Sequence, residues 1–314
     1  MRDMTLLLRF DYRLPHEVPA PSQDEAWGRP TKSDDGVKPI VPARLRLPTP
    51  MVNGVRNGTN PDLGCFIVAS DPEAEVDTLL QNVLQAHGGV DRWRSLKRVD
   101  ATIVSGGGFF GLKGIIQDAD PRRVTSWLHE ERMSLQPYGA PDQCSVFAPR
   151  RVAVEKLDGS VLAERLAPRD CFAGHQMNTS WDPLHRAYFN GEALWTYLAT
   201  PFLLAMQDVA VEEIEPWQEG EERWRVLRAR FPGSIETHSS TQDFFFDESF
   251  MLRRHDYQVN IAGGFAAAQL TSEYVRRDGI ALPTRRRAYT RGPDGRPNLD
   301  MLMVWIDLSD ISYS

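Results

Sequence analysis

Residues 265–276 (FAAAQLTSEYVR), the pair Asp278-Gly279 and residues 280–291 (IALPTRRRAYTR) decide the fold of this chain. Two β-compatible runs are joined by a link far too short for a parallel crossover, which needs a dozen residues or more, so they are antiparallel neighbours. The same grammar extends on both sides. Runs at 209–215, 223–231, 235–247, 250–261 and 299–311 are separated by Pro232-Gly233, Asp247-Glu248, Gly263-Gly264 and Pro293-Asp294-Gly295. Upstream, 99–105, 114–118, 124–135, 143–147, 151–157 and 161–166 also read as strands. Asp158-Gly159 is a two-residue hairpin signal, and 124–135 is either one bent strand or two.

Three segments break the β pattern. Asp71-Pro72 suits an N-cap and first helical residue, and Val76, Leu79, Leu80, Val83 and Leu84 then follow at helical spacing until Gly88-Gly89. A short helix over 91–97 presents Trp93 and Leu96. Asp182-Pro183 opens a third, strongly apolar helix over 182–205, with Gly191 or Pro201 as points of interruption. A sheet of about ten antiparallel strands curls, and its concave face must be filled. The predicted fold class is therefore α+β, mainly antiparallel β: a curled, unclosed barrel whose concave face is plugged by the helices around 76–87 and 182–205. An incomplete fill leaves a pocket for a small apolar ligand.

The domain reading is a Pro-rich arm over 1–70, mostly disordered or loosely attached, followed by a half-barrel domain over 71–314. Nine of the chain's 22 prolines fall before residue 62, and no period of a helix or strand survives among them. The formal charge of −7 argues against a nucleic-acid partner held by bulk positive charge. The three cysteines, Cys65, Cys144 and Cys171, are spaced for neither a disulfide framework nor a zinc site. No stretch approaches the roughly 20 apolar residues of a membrane helix, and no leader is read in the first residues, so a cytoplasmic location is expected.

The string LLQNVLQAHGGVDRWRSLK at 79–97 resembles the opening of the LolA-like family, the outer-membrane lipoprotein carriers and sorting proteins, in which a helix ends in Ala-His-Gly-Gly before a short helix and the first strand. FDESFMLRR at 246–254 and YVRRDGIALP at 274–283 resemble its later strand–turn–strand and Asp-Gly-x-x-Leu-Pro patterns. The resemblance covers about 75–314. It implies an unclosed β-barrel with helices over its opening and an apolar cavity for acyl chains. The fold also hosts a cofactor-free enzyme of violacein biosynthesis.

Catalytic signatures are sparse. None of the seven histidines stands in a metal-ligand pair, and no nucleophile elbow, P-loop or dinucleotide fingerprint occurs, so neither metal nor cofactor is expected. Residues 106–111 (GGGFFG) read as a flexible hairpin loop with two phenylalanines at its tip. His238 and His255 are placed on adjoining strands, and alternation sets His255 and Tyr257 on one face with Asp256 on the other. His255 and His129 are the weak catalytic candidates. The aromatic and methionine content carries the ligand hypothesis: Trp127, His129, Tyr188, Trp195, His255, Tyr257, Met303 and Trp305 are the expected lining. Arginines at 253–254, 276–277 and 285–287 offer an anion site if two of them reach the concave side. The leading expectation is a binder of a hydrophobic small molecule or acyl chain. The alternatives are a cofactor-free enzyme of secondary metabolism in the same cavity and a partner-binding module using the arm. No protein partner is named by the sequence.

Overall fold

The computed structural model describes residues 72–314. Its strands are β1 Arg98–Gly106, β2 Arg122–Trp127, β3 Met133–Gln136, β4 Gln143–Ala148, β5 Arg151–Lys156, β6 Val161–Leu166, β7 Ala210–Glu219, β8 Glu222–Arg230, β9 Thr241–Phe246, β10 Leu252–Val259, β11 Phe265–Arg277, β12 Ile280–Arg291 and β13 Pro297–Tyr313. All 13 join one antiparallel sheet in the order β6-β5-β4-β3-β2-β1-β13-β12-β11-β10-β9-β8-β7. Strands consecutive in sequence pair with one another except β6 and β7, and the one pairing between non-consecutive strands is the β1–β13 seam. The sheet does not close on itself, and β6 and β7 are its edges. The expected unclosed antiparallel barrel is therefore what the chain forms.

The helices are α1 Pro72–Ala86, α2 Val90–Arg94, α3 Gly108–Leu112 and α4 Pro183–Ala199. Asp182 caps α4 by accepting from the His185 backbone N–H at 2.8 Å, and Pro183 fills the first turn, where no donor is needed. Every residue of α4 from Arg186 to Ala199 is buried, so the helix lies inside the curl and packs on more than one side. It runs through Gly191, whose missing side chain admits the Phe147 ring: a Cβ there would sit 2.2 Å from Phe147 Cγ. The break comes instead at Pro201, followed by a 3₁₀ turn over Phe202–Ala205. Trp93 of α2 stacks on Phe202 with ring centroids 4.4 Å apart, which ties the first helices to the end of α4. A smaller cluster of Trp224, Val226 and Phe245 forms apart from the main core.

Several local expectations are corrected. Residues 106–111 are not a flexible hairpin loop: Gly108–Leu112 is helical, and Phe109 and Phe110 are buried. Gly107 makes this entry possible, with φ of 125° and a Cβ position only 2.2 Å from the Met303 carbonyl oxygen. Residues 114–118 are irregular rather than a strand, 124–135 is two strands, and only 241–246 of the 235–247 run is regular. His238 therefore precedes β9, and His255 pairs with Phe244. His87 packs as a neutral ring: Nδ1 lies 2.8 Å from the Val83 carbonyl, and burial pushes its pKa down to about 4. The arm at 1–70, Cys65 and the Asp71 cap lie outside the described residues.

Candidate functional site

The concave face is built by alternation. Ser105 of β1 pairs with Ile306 of β13, and Ile306 with Arg286 of β12, so these three side chains share the inner surface beneath α4. The expected hollow is almost completely filled. What remains is a void of about 20 Å³, space for one water, beside Ile103, Phe110, Phe189, Ala193, Leu194 and Ile306. The partly stoppered cavity anticipated from the sequence is thus closed, because α4 and the buried phenylalanines of α3 fill the curl.

Phe110 belongs to a flap, residues 107–121, between β1 and β2. Its anchors are polar. Arg186 Nη1 donates to the Ile116 carbonyl at 2.6 Å, Lys113 Nζ donates to the Gln176 carbonyl at 2.7 Å, and the Trp181 backbone N–H donates to the Lys113 carbonyl at 2.9 Å. Lys113 also lies 4.7 Å from the Trp181 ring centroid, and burial pushes its pKa down to about 8. Ile116 is 86% exposed, so the flap's outer side is not covered by other described residues.

The void has one polar corner. Gln117 Nε2 donates to Ser105 Oγ at 3.0 Å and to Asn190 Oδ1 at 3.3 Å, and Arg122 Nη2 donates to Ser105 Oγ at 2.6 Å. Gln117 Oε1, Asn190 Nδ2 and Arg122 Nε and Nη1 are buried without a hydrogen-bond partner. Burial pushes the Arg122 guanidinium down to about 10.

Deeper under α4 lies a continuous polar chain. Glu192 is fully buried; it accepts from Arg169 Nη1 at 3.3 Å and lies 3.0 Å from His238 Nδ1. His238 Nε2 is 2.8 Å from the Tyr197 hydroxyl, which is 2.8 Å from the Tyr257 hydroxyl. Burial keeps both phenols protonated, with Tyr197 raised well above its ordinary value. Arg286 closes the chain, donating to Gln269 Oε1 at 2.9 Å and to the Tyr197 carbonyl at 2.8 Å. On a side branch, His255 Nε2 lies 2.6 Å from Gln242 Oε1. Its pKa is driven well below the ordinary value by burial, with the nearby Arg286 charge adding to the effect.

The sequence-selected lining residues divide. His255 and Tyr257 face inward as alternation requires, with Asp256 on the other face, where it accepts from Arg254 and Arg291. Tyr188 and Trp195 are buried on α4: the Tyr188 hydroxyl bonds Glu236, and Trp195 Nε1 donates to the carbonyls of Trp127 and Glu130 at 2.9 and 3.0 Å. Met303 is buried against the flap hinge. His129 lies 2.8 Å from the Leu96 carbonyl, at α2. Trp127 and Trp305 lie on the outer face. Ser126 and Leu128 take the inner positions beside Trp127, which carries Arg132 over its ring at 4.2 Å. Trp305 sits with Arg287, one residue out of phase with Ile306. The eight side chains therefore do not line one hollow. Of the polar residues that line the void, Ser105, Gln117, Asn190 and Tyr197 were not singled out, nor were Glu192 and Arg122, which belong to the polar groups around it. A carboxylate within the apolar helix sequence was the available signal for Glu192. Of the arginines selected in pairs, Arg286 is the one in the concave network.

A second, polar cleft of about 310 Å³ opens at the ends of β9 and β10 beside Asp243, Asp256, Arg228 and Arg291. Its charges are already paired: Arg228 grips Asp243 at 2.7 and 2.9 Å, and Arg291 bonds Asp256 at 2.8 Å.

No family model matches the chain, and no curated protein matches it. Solved structures similar in fold include a LolA superfamily protein from Nitrosomonas europaea, 13% identical over 75% of this chain and 92% of that one, with a TM-score of 0.43. A domain described as an outer-membrane lipoprotein-sorting protein, from Vibrio parahaemolyticus, is 10% identical over 77% and 93%, with a TM-score of 0.45. A DUF1329 family protein from Desulfovibrio piger is 13% identical over 78% and 94%, with a TM-score of 0.39. The cytoplasmic expectation does not stand beside a similar structure described as an outer-membrane lipoprotein-sorting domain. No helix among the described residues is long and apolar enough to cross a membrane.

Proposed function

We propose that this chain binds a hydrophobic small molecule or an acyl chain between α4 and the concave face, and that the flap at 107–121 moves aside to admit it. One observation carries the reading. An apolar-walled void survives in an otherwise close-packed interior, and Phe110, part of its wall, comes from a flap with glycine at its entry and its outer side exposed. Withdrawing Phe110 converts a space for one water into a slot between Leu194 of α4 and Ile306 of β13.

Titration of the purified chain with a polarity-sensitive apolar dye tests this. Phe110→Ala, which enlarges the void, tightens binding, and Ala193→Leu, which fills it, weakens binding. Absence of saturable binding by both the wild-type chain and Phe110→Ala ends the reading.

A second reading, a cofactor-free enzyme acting on the same occupant, draws on the Glu192–His238–Tyr197 chain. A carboxylate that orients an imidazole, whose other nitrogen meets a phenol, is an arrangement for moving a proton. Metabolite profiles of cells producing the wild-type chain or His238→Gln test it; identical profiles remove it.

A further inference from the structure

Two arginines converge on one carboxylate at the edge of the hollow, and that carboxylate belongs to the flap. Asp118 Oδ2 lies 3.3 Å from Arg186 Nη1 and 3.9 Å from Arg122 Nη1. The partners are unequal in their setting. The Arg122 side chain is wholly buried and that of Arg186 is 8% exposed, whereas that of Asp118 is 32% exposed. Asp118 compensates Arg122 poorly: the contact is long, and two of the three guanidinium nitrogens of Arg122 lack any hydrogen-bond partner. A buried guanidinium with unused donors is costly unless an acceptor reaches it. Asn190 Nδ2, also without a partner, adds a further donor to the same corner. Arg286, on the same inner surface, has no carboxylate within ion-pair distance among the described residues.

Gln117 and Asp118 leave with the flap. Opening the hollow in the manner proposed above therefore removes the carboxylate that faces Arg122 and Arg186 at the moment the apolar slot appears, while Arg122 keeps Ser105 Oγ and Arg186 keeps the Tyr138 hydroxyl. We propose that the natural occupant is an apolar molecule ending in a carboxylate, and that Asp118 holds the head-group place until that carboxylate replaces it at Arg122 and Arg186. The apolar tail runs between Leu194 and Ile306. This assignment rests on the hollow being the binding site, and it adds the chemical class of the occupant. The polar corner then selects between tails of equal length by their ends, because an uncharged head leaves the two guanidinium groups without an anion.

Competition for the dye-loaded full-length chain by dodecanoic acid and by dodecanol separates the two levels of the argument. The acid is expected to compete about tenfold better than the alcohol, as one charge-assisted contact allows. Asp118→Asn, which vacates the head-group place at a part-exposed position, is expected to improve the acid several-fold and leave the alcohol unchanged. Arg122→Gln is expected to abolish the preference, with Arg122→Lys restoring part of it as a control for folding. Equal competition by acid and alcohol, with no response to Asp118→Asn, overturns the head-group assignment while the hollow stands. Failure of both competitors against the wild-type chain and Phe110→Ala overturns the assignment together with the site.

Discussion

Gly191, in the middle of α4, meets the ring of Phe147 from β4 so closely that no side chain fits between helix and strand: a Cβ at Gly191 would lie 2.2 Å from Cγ and 2.4 Å from Cβ of Phe147. This contact sets how deeply α4 sits in the curl. It also reverses a general rule. Glycine in a helix interior costs about 1 kcal/mol relative to alanine, yet overpacking a tight contact costs about 1–3 kcal/mol. Gly191→Ala is expected to destabilise the fold, read as a lower midpoint in urea unfolding. A higher midpoint would show that Phe147 yields freely.

Glu131 gives the fold a pH dependence. Burial raises its pKa to about 9, the Glu236 and Glu192 carboxylates add to the rise, and the bond from the Glu236 backbone N–H opposes it. The unfolded chain loses this proton near the ordinary value of 4.5, while the folded chain keeps it to about 9. Across that window the folded state binds more protons, so this group's contribution to stability falls as pH rises. Glu131→Gln is expected to flatten the fall, and unfolding midpoints of the two chains compared at pH values on either side of neutrality measure it.

Glu192 has Arg169 and His238 as partners and no contact with solvent. Glu192→Ala leaves the buried His238 Nδ1 without its partner, while Arg169 keeps Glu236 at 3.0 Å, and a loss of about 1–3 kcal/mol is expected, the usual scale for stranding a buried polar group. Denaturant unfolding reads it directly. A loss under about 1 kcal/mol would mean that water enters and replaces the carboxylate.

Trp195 ties α4 to the β2–β3 turn through a single N–H shared by two carbonyls, at 2.9 and 3.0 Å. Trp195→Phe keeps much of the ring but strands both acceptors. About 1–3 kcal/mol of stability is expected to go, together with faster hydrogen exchange of the turn amides. Unchanged exchange would mean that the turn is held without this bond, by contacts such as Leu128 N–H to the Lys97 carbonyl at 2.9 Å and His129 to the Leu96 carbonyl at 2.8 Å.

The sheet was readable because its information is local. Pro232-Gly233, Asp278-Gly279 and Pro293-Asp294-Gly295 each join strands that pair directly, so turn chemistry alone assigns the neighbours. The β1–β13 pairing has no such mark, since it links segments some two hundred residues apart in sequence, such as Val99 and Tyr313. The helix α3 was hidden by the glycines of GFFGL, which argue against a helix until the burial of Phe109 and Phe110 is known. In the site, His255 and Tyr257 were placed on the correct face because Asp256 between them marks the phase. Trp127 and Trp305 were not, because an aromatic ring satisfied by a neighbouring arginine is as stable on the outer face as in the core. Arg122 carries no sequence signature: its meaning comes from Ser105, Asp118 and Asn190, which the fold brings together from three elements.

The β1–β13 seam divides the molecule's assembly in time. Strands β1 to β6 can zip together as they are made, and β7 to β13 can do likewise, but each half on its own leaves one long row of backbone donors and acceptors bare where the other will join. The two sheets become one only when β13 pairs with β1, so the inner surface beneath α4 is whole only once strands some two hundred residues apart have met, and until then there are two ribbons and no shared concave face.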